Sequence, residues 1–243
     1  MTKIIGDFCS NHLGDRRLIE HGIKTLAKIG VDIIKFQSFK ADKLTKDWPD
    51  YQTAYEYYKS VELSDDDHAF IIEKCEEYGI EPLFTAFGLK EATFLQELGV
   101  EKVKIASPDM SNDHLIRHCR GRFKTIYIST GMHTDKEIEL VRRERKGQAA
   151  FLYCISKYPT KYEEIDFDKM QMFDGFSDHT ADLRAAKKAI DLSIPLIERH
   201  FTLGKWLPGN DHKISSTPDE FRELVEYRDY KAKCDLYKRR WQG

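Results

Sequence analysis

Short apolar runs alternate with longer amphipathic stretches along the whole chain. Eight runs read as buried strands: residues 3–8, 32–38, 81–86, 102–106, 125–129, 150–155, 175–177 and 195–198. The stretches between them carry helix signals. Leu18, Ile19, Gly22, Ile23, Leu26 and Ala27 share one helical face, with Asp15 placed to start the helix and Gly30 to end it. Ser64 with Asp67 starts another, which Gly79 ends. Thr134 with Glu137 and Thr217 with Glu220 have the capping-box spacing, and Pro218 takes the first helical position of the latter. Thr180 is expected to cap a helix that begins directly after His179.

Eight strand–helix units in sequence predict an α/β chain folded as a (β/α)8 TIM barrel, one domain over residues 1–243. A doubly wound open sheet is the competing architecture. It would gather polar residues at one switch point, whereas here they recur at the C-terminal end of every strand. No linker, low-complexity segment or repeat divides the chain. The connection 39–63, between the second strand and its helix, is unusually long and carries Trp48, Tyr51, Tyr55, Tyr57 and Tyr58. It reads equally as a lid or as an extra surface helix whose aromatics pack on the barrel.

Hydrophobic residues make up 41% of the chain and charged residues 33%, which predicts a folded protein with a well-charged surface. A net charge of -2 gives no reason to expect a nucleic-acid partner. Cys9, Cys75, Cys119, Cys154 and Cys234 are odd in number, scattered and never spaced as CxxC, which fits a reduced, cytoplasmic compartment better than a disulfide framework. The N-terminal apolar run is too short for a signal peptide, and no stretch approaches the ~18 apolar residues of a membrane helix.

Candidate chemistry lies at the strand ends, which a barrel brings to one mouth. In chain order they offer Asp7; Lys35 and Gln37; Thr85; Lys104, Ser107 and Asp109; Ser129; Ser156 and Tyr158; Ser177, Asp178 and His179; and Glu198, His200, Asp211 and His212. A lysine inside a strand is rarely buried without a partner. Lys35 and Lys104 are therefore each paired with a carboxylate, bound to a substrate anion, or Schiff-base nucleophiles. Taken with the serines, two such lysines suggest a pocket for a phosphate and a carboxylate. A lone histidine at a strand end is usually a satisfied core group. His179 and His200, however, end consecutive strands and can reach one divalent ion, with Asp178 and Glu198 beside them as orienting or acid–base groups. His12, His133 and His212 are weaker candidates, and the remaining histidines fall on predicted helices as surface groups.

Taken together, these residues resemble the N-acetylneuraminate (sialic acid) synthase family. The motifs are Asn11-His12-Leu13-Gly14-Asp15, Lys35-Phe36-Gln37, Lys104 to Ser107, Ser129-Thr130-Gly131-Met132, Cys154 to Thr160, Gly175 to Thr180, Ile197 to Thr202 and Gly209-Asn210-Asp211-His212. Each is weak alone, but eight in the same order are strong evidence of homology. The resemblance runs from Ile5 to about Tyr227. It implies a barrel enzyme that joins phosphoenolpyruvate to the open-chain aldehyde of an N-acetylmannosamine-like amino sugar, giving a sialic-acid-like 2-keto-3-deoxy acid and phosphate. By position, Lys35, Lys104, Ser107, Ser129 and Ser177 would hold phosphoenolpyruvate, and Gln37, Tyr158 and Asp211 would face the sugar. His179 and His200 would bind manganese or magnesium, and a nearby carboxylate, Asp7 or Asp109, would handle a proton.

The chain departs from the family pattern at several points. Asp7 and Asp109 stand where glutamate is usual, Ser156 where asparagine is usual, and Gly88 where aspartate is common. Family members usually continue into a small antifreeze-like domain that supplies an arginine to a partner subunit's sugar site. This sequence ends at Trp241-Gln242-Gly243, so that domain is expected to be absent or a separate polypeptide, and a homodimer is left open. Two other readings compete: a Schiff-base pyruvate aldolase on Lys35 or Lys104, and a non-catalytic or partner-dependent phosphoenolpyruvate-binding homologue.

Overall fold

A computed structural model describes residues 1–47, 50–144, 147 and 149–241. Eight parallel strands close into a barrel in sequence order: β1 (Lys3–Cys9), β2 (Ile33–Ser38), β3 (Glu81–Ala86), β4 (Lys102–Ile105), β5 (Thr125–Ser129), β6 (Ala149–Cys154), β7 (Gly175–Asp178) and β8 (Leu196–His200). The outer layer is α1 (Arg16–Ile29), α2 (Tyr51–Val61), α3 (Asp65–Tyr78), α4 (Leu89–Glu97), α5 (Asp113–Cys119), α6 (Asp135–Glu144), α7 (Phe167–Met170), α8 (Arg184–Asp191) and α9 (Pro218–Trp241). The strands match the sequence reading to within one or two residues at each end. β8 runs on to His200, which therefore sits in the sheet as the strand's last residue.

The period-two alternation of strands sorts the side chains. Outward-facing Ile4, Phe8, Ile34, Phe36, Phe84, Val103, Ile126 and Ile197 pack under the helices in the main core. Inward-facing Ile5, Ile33, Leu83, Tyr127, Leu152 and Leu196 fill the lower barrel as a separate apolar cluster. Two residues further along five of these strands, the lumen turns polar.

The helix signals act as their chemistry requires. Asp15 accepts from the Arg17 amide, and Gly30 ends α1 in the left-handed region at φ 91°. Ser64 and Asp67 form a reciprocal capping box, and Thr217 and Glu220 exchange equivalent bonds at the start of α9. Gly22 lets α1 approach β1, since a Cβ there would lie 2.4 Å from Phe8.

Two expectations are corrected. No helix follows His179 directly: α8 starts at Arg184, whose amide bonds Asp182, while Thr180 bonds Asp178 and Asp182 within the intervening turn. His68 on α3 is buried against Phe84 and bonds Ser38 and the Ser64 carbonyl, so it is a core group.

The 39–63 connection contains the extra helix, α2. Its Tyr57 hydroxyl meets Ser10 at 2.9 Å, Tyr58 packs edge-on to Phe39, and Tyr51 stacks on Tyr55. Trp48 lies outside the described residues. Among the described residues all five cysteines are free, and no helix is long and apolar enough to cross a membrane.

Candidate active site

The polar upper layer of the lumen is one connected network. Strand register sets Asp7 beside Lys35 on one side and beside His200 on the other, and Ser177 beside Glu198. Lys35 lies 2.9 Å from Asp7 and 3.2 Å from Glu198. Lys104 donates to Ser129 at 2.6 Å and stands 3.8 Å from Glu198. Ser129 and Ser177 are 2.9 Å apart, and Ser177 donates to Glu198 at 3.0 Å. All of these side chains are buried except His200, which is partly exposed.

Burial and charge compete at each ionisable group. Burial disfavours the charged form of Lys35, but Asp7 and Glu198 outweigh it and hold the ammonium above its ordinary range. Lys104 is equally buried, and there burial, with Lys35 as a like charge, outweighs Glu198, so its pKa falls. Burial pushes Glu198 up, and the two lysines more than reverse this, leaving it an ionised carboxylate. Two lysines and two acidic side chains thus share the lumen.

Above this layer a cavity of about 540 Å³ opens at the C-terminal ends of the strands. Lys35, Lys104, Ser107, Ser129 and Asp7 line it below, and Tyr158, His179, His200 and Asp211 line its rim. A second lobe of about 370 Å³ shares Gln37, Phe87 and Asp211 with the first and is walled by Phe39, Ala41, Leu44 and Tyr58. The two lysines of this lobe are already paired, Lys40 with Glu62 at 3.2 Å and Lys43 with Glu91 at 2.5 Å. Its free surface is therefore largely apolar.

The histidine pair sits at the rim. The rings of His179 and His200 are perpendicular, 5.5 Å apart, and Tyr158 covers His179 at 4.2 Å. His179 Nδ1 donates to the Ile155 carbonyl at 2.8 Å, which leaves the Nε2 lone pair free as a ligand. His200 Nε2 is 3.7 Å from Asp7, and its Nδ1 is buried without a hydrogen-bond partner among the described residues. Cys9, His200 and Asp211 bring one donor atom each within 4.8 Å of one another. These imidazole, carboxylate and thiol donors fit a divalent cation.

Most of the residues singled out from sequence meet in this space: Asp7, Lys35, Gln37, Lys104, Ser107, Ser129, Tyr158, His179, Glu198, His200 and Asp211 line the cavity, and Ser177 joins through its bonds to Ser129 and Glu198. Two acids do not. Asp109 accepts from Asn112 at 3.0 Å, on a turn leading into α5, and does not line the cavity. Asp178 points to the outer face of the barrel, where it pairs with buried Arg199 and bonds the Thr180 amide, so it orients neither histidine.

The weaker candidates His12, His133 and His212 do not line the cavity. His12 is buried against Phe8 and Phe36, and burial lowers its pKa to about 4. His212 bonds Thr202 at 2.7 Å, and His133 bonds the Ser107 carbonyl at 2.9 Å. Sequence reasoning missed Cys9, whose thiol is set near His200 and Asp211 at an irregularity of β1 that no alternation pattern reveals. It also missed the Phe39–Phe87 lobe, which only the closure of the barrel assembles.

The NeuB family matches residues 22–234. The chain is 32% identical to the N,N'-diacetyllegionaminic acid synthase of Legionella pneumophila, over 92% of this chain and 70% of that protein. It is 29% identical to a pseudaminic acid synthase of Campylobacter jejuni, over 92% of this chain and 71% of the relative. The fold superposes with a TM-score of 0.89 on the N-acetylneuraminic acid (sialic acid) synthetase of Leptospira borgpetersenii, solved with citrate, at 26% identity over 96% of this chain and 84% of that one.

Proposed function

The chain belongs to the NeuB family, and from that premise we propose that residues 1–243 form one synthase-type barrel domain that condenses phosphoenolpyruvate with an amino-sugar aldehyde. The products are a nonulosonate-like 2-keto-3-deoxy acid and phosphate. The observation that carries this reading is the buried lumen array, in which two lysines and three serines meet below two histidines in one cavity.

Lys35, Lys104, Ser107, Ser129 and Ser177 hold the phosphate and carboxylate of phosphoenolpyruvate through charge-assisted hydrogen bonds. His179 and His200 would hold a divalent cation, for which family resemblance suggests manganese or magnesium, and that ion would supply Lewis-acid polarisation of the aldehyde. The methylene carbon (C3) of phosphoenolpyruvate forms the new bond to the aldehyde carbon, whose oxygen takes up a proton; water adds at C2, and the C2–O bond to phosphate then breaks, releasing phosphate and leaving the keto group. Asp7, beside Lys35 and His200, takes the proton from that water. Gln37, Tyr158 and Asp211 face the sugar, and the apolar lobe beside Phe39 and Phe87 receives its uncharged substituents, such as acylamino or deoxy groups. With Lys40 and Lys43 already paired, the lobe is poorly suited to a sugar phosphate.

The lowered pKa of Lys104 favours one alternative, a Schiff-base aldolase with Lys104 as the amine. Borohydride trapping with pyruvate would label Lys104 in that case. The synthase reading is tested by phosphate release from phosphoenolpyruvate with manganese, N-acetylmannosamine and a panel of related aldoses. Release that requires one acceptor and is lost in His179→Ala supports it and identifies the acceptor. Binding without release across the panel favours a non-catalytic or partner-dependent homologue. A protein that binds no phosphoenolpyruvate sinks the synthase reading.

A further inference from the structure

We infer that Cys9 is a protein ligand to the divalent ion, so that a thiolate joins His200 and Asp211 and draws the site toward thiophilic ions such as zinc, ferrous iron or cobalt and away from magnesium.

Three observations carry this. First, the donor atoms of Cys9, His200 and Asp211 lie within 4.8 Å of one another and are the one such group of three among the described residues. Zinc–sulfur bonds of about 2.3 Å and zinc–nitrogen bonds of about 2.0 Å require donors roughly 3.5 Å apart, so a contraction of about 1 Å closes the set. Second, His200 Nδ1 is buried and has no hydrogen-bond partner among the described residues, an arrangement that a ligand at that nitrogen relieves. Third, Cys9 is fully buried yet sits at φ 37°, in the left-handed region that favours glycine, at an irregularity in the pairing of β1 with β2. A side chain kept at such a position points to a use for it.

The neighbouring groups supply the rest of the sphere. His179 faces His200 across the cavity with its Nε2 lone pair free, outside the 4.8 Å group of three, and the cavity leaves open positions for substrate. Imidazole and carboxylate alone accommodate manganese and magnesium, whereas a thiolate selects softer ions. The inference rests on the reading that an ion is held at His179 and His200, and adds a sulfur atom to its ligands.

Metal-free protein loaded with cobalt(II) tests it by a readout separate from turnover. The intact protein is expected to develop a near-ultraviolet thiolate-to-cobalt charge-transfer band. Cys9→Ser should lose that band and bind cobalt more weakly by ~10-fold or more, since changes even to outer-sphere partners of a metal ligand weaken binding that far. Cys154→Ser is the control, because Cys154 also lines the cavity, 3.8 Å from His179 Nδ1, and it should keep the band. X-ray absorption of the unaltered zinc-loaded protein gives the same answer without a variant, as one sulfur scatterer at about 2.3 Å. Cobalt bound with only nitrogen and oxygen donors would overturn the inference and leave the two-histidine reading standing. A band lost in Cys154→Ser and kept in Cys9→Ser would also overturn it. Failure to bind any divalent ion would remove both readings.

Discussion

Replacing Glu198 by glutamine tests the electrostatics of the lumen at its centre. In the variant Lys35 keeps Asp7 at 2.9 Å. Lys104 keeps only the Ser129 hydroxyl at 2.6 Å and the Ile105 carbonyl at 3.4 Å, with no carboxylate in contact among the described residues. At an effective dielectric constant of about 20, opposite unit charges at the 3.8 Å separation of Lys104 and Glu198 attract by roughly 4 kcal/mol. That is worth about three pH units on a lysine whose pKa burial already lowers. The sign follows from which form binds the anion. In the proposed function phosphoenolpyruvate binds protonated Lys104, so affinity should hold below the lysine's pKa and fall as pH rises through it. Glu198→Gln should move that alkaline loss downward by up to about three pH units. At low pH, where Lys104 is protonated in both proteins, removal of a neighbouring negative charge should make the variant bind at least as well as the parent. Isothermal titration at fixed metal concentration, across pH and in two buffers of different protonation enthalpy, reads both effects. The variant should also take up more protons on binding near neutrality. An alkaline limb at the same pH in both proteins, with equal proton uptake, would refute the argument that Glu198 holds the charge on Lys104.

Four further outcomes are expected. Asp7→Asn should lower turnover by ~10²–10⁴-fold, while Asp109→Asn stays within about threefold of the parent, as steady-state kinetics will show. Asp178→Ala leaves buried Arg199 without its carboxylate and should lower unfolding stability by roughly 3–5 kcal/mol in urea titrations, while the folded fraction still binds metal. Gly22→Ala gains helix propensity but drives a Cβ to 2.4 Å from Phe8, and a net loss of about 1–2 kcal/mol in thermal unfolding is expected. Phe39→Ala should raise the KM for the acceptor by about tenfold and change the KM for phosphoenolpyruvate by less than about twofold.

The barrel was legible because its strands are marked twice, by apolar runs and by the helix signals between them. Asp15, Gly30, Ser64 with Asp67, and Thr217 with Glu220 all act at the positions their chemistry suggests. The lumen was legible for a related reason: in a closed barrel a polar residue near the end of an otherwise apolar strand has few places to go, so Lys35, Lys104 and Glu198 were bound to meet. The errors came from reading neighbours in sequence as neighbours in space. Asp178 adjoins His179 along the chain, but Ser177 already takes the inward direction, so Asp178 faces out to Arg199. Asp109 follows Ser107 by two residues, yet the chain has turned by then and its carboxylate serves Asn112. The helix after His179 starts later than expected because Asp182 supplies the bond assigned to Thr180. The apolar lobe depends on Phe39, Tyr58 and Phe87, which lie on separate elements, and no local pattern joins them.

The change from hydrocarbon to charge inside the barrel is abrupt. Ile5 precedes Asp7, Ile33 precedes Lys35, Leu83 precedes Thr85, Tyr127 precedes Ser129, and Leu196 precedes Glu198. Each change spans two residues of strand, about 6.6 Å. The dipoles and charges of the upper layer are therefore mounted on a close-packed floor that offers no liquid to relax into. Water would have to reorient each time charge moved between a phosphate and a carbonyl. A preorganised array of this kind is already oriented and need not, so its contribution to lowering a barrier resides as much in the stiffness of Ile5, Ile33 and Leu196 beneath it as in the groups that touch substrate. Loosening that floor would slow chemistry while every polar contact above it stayed in place.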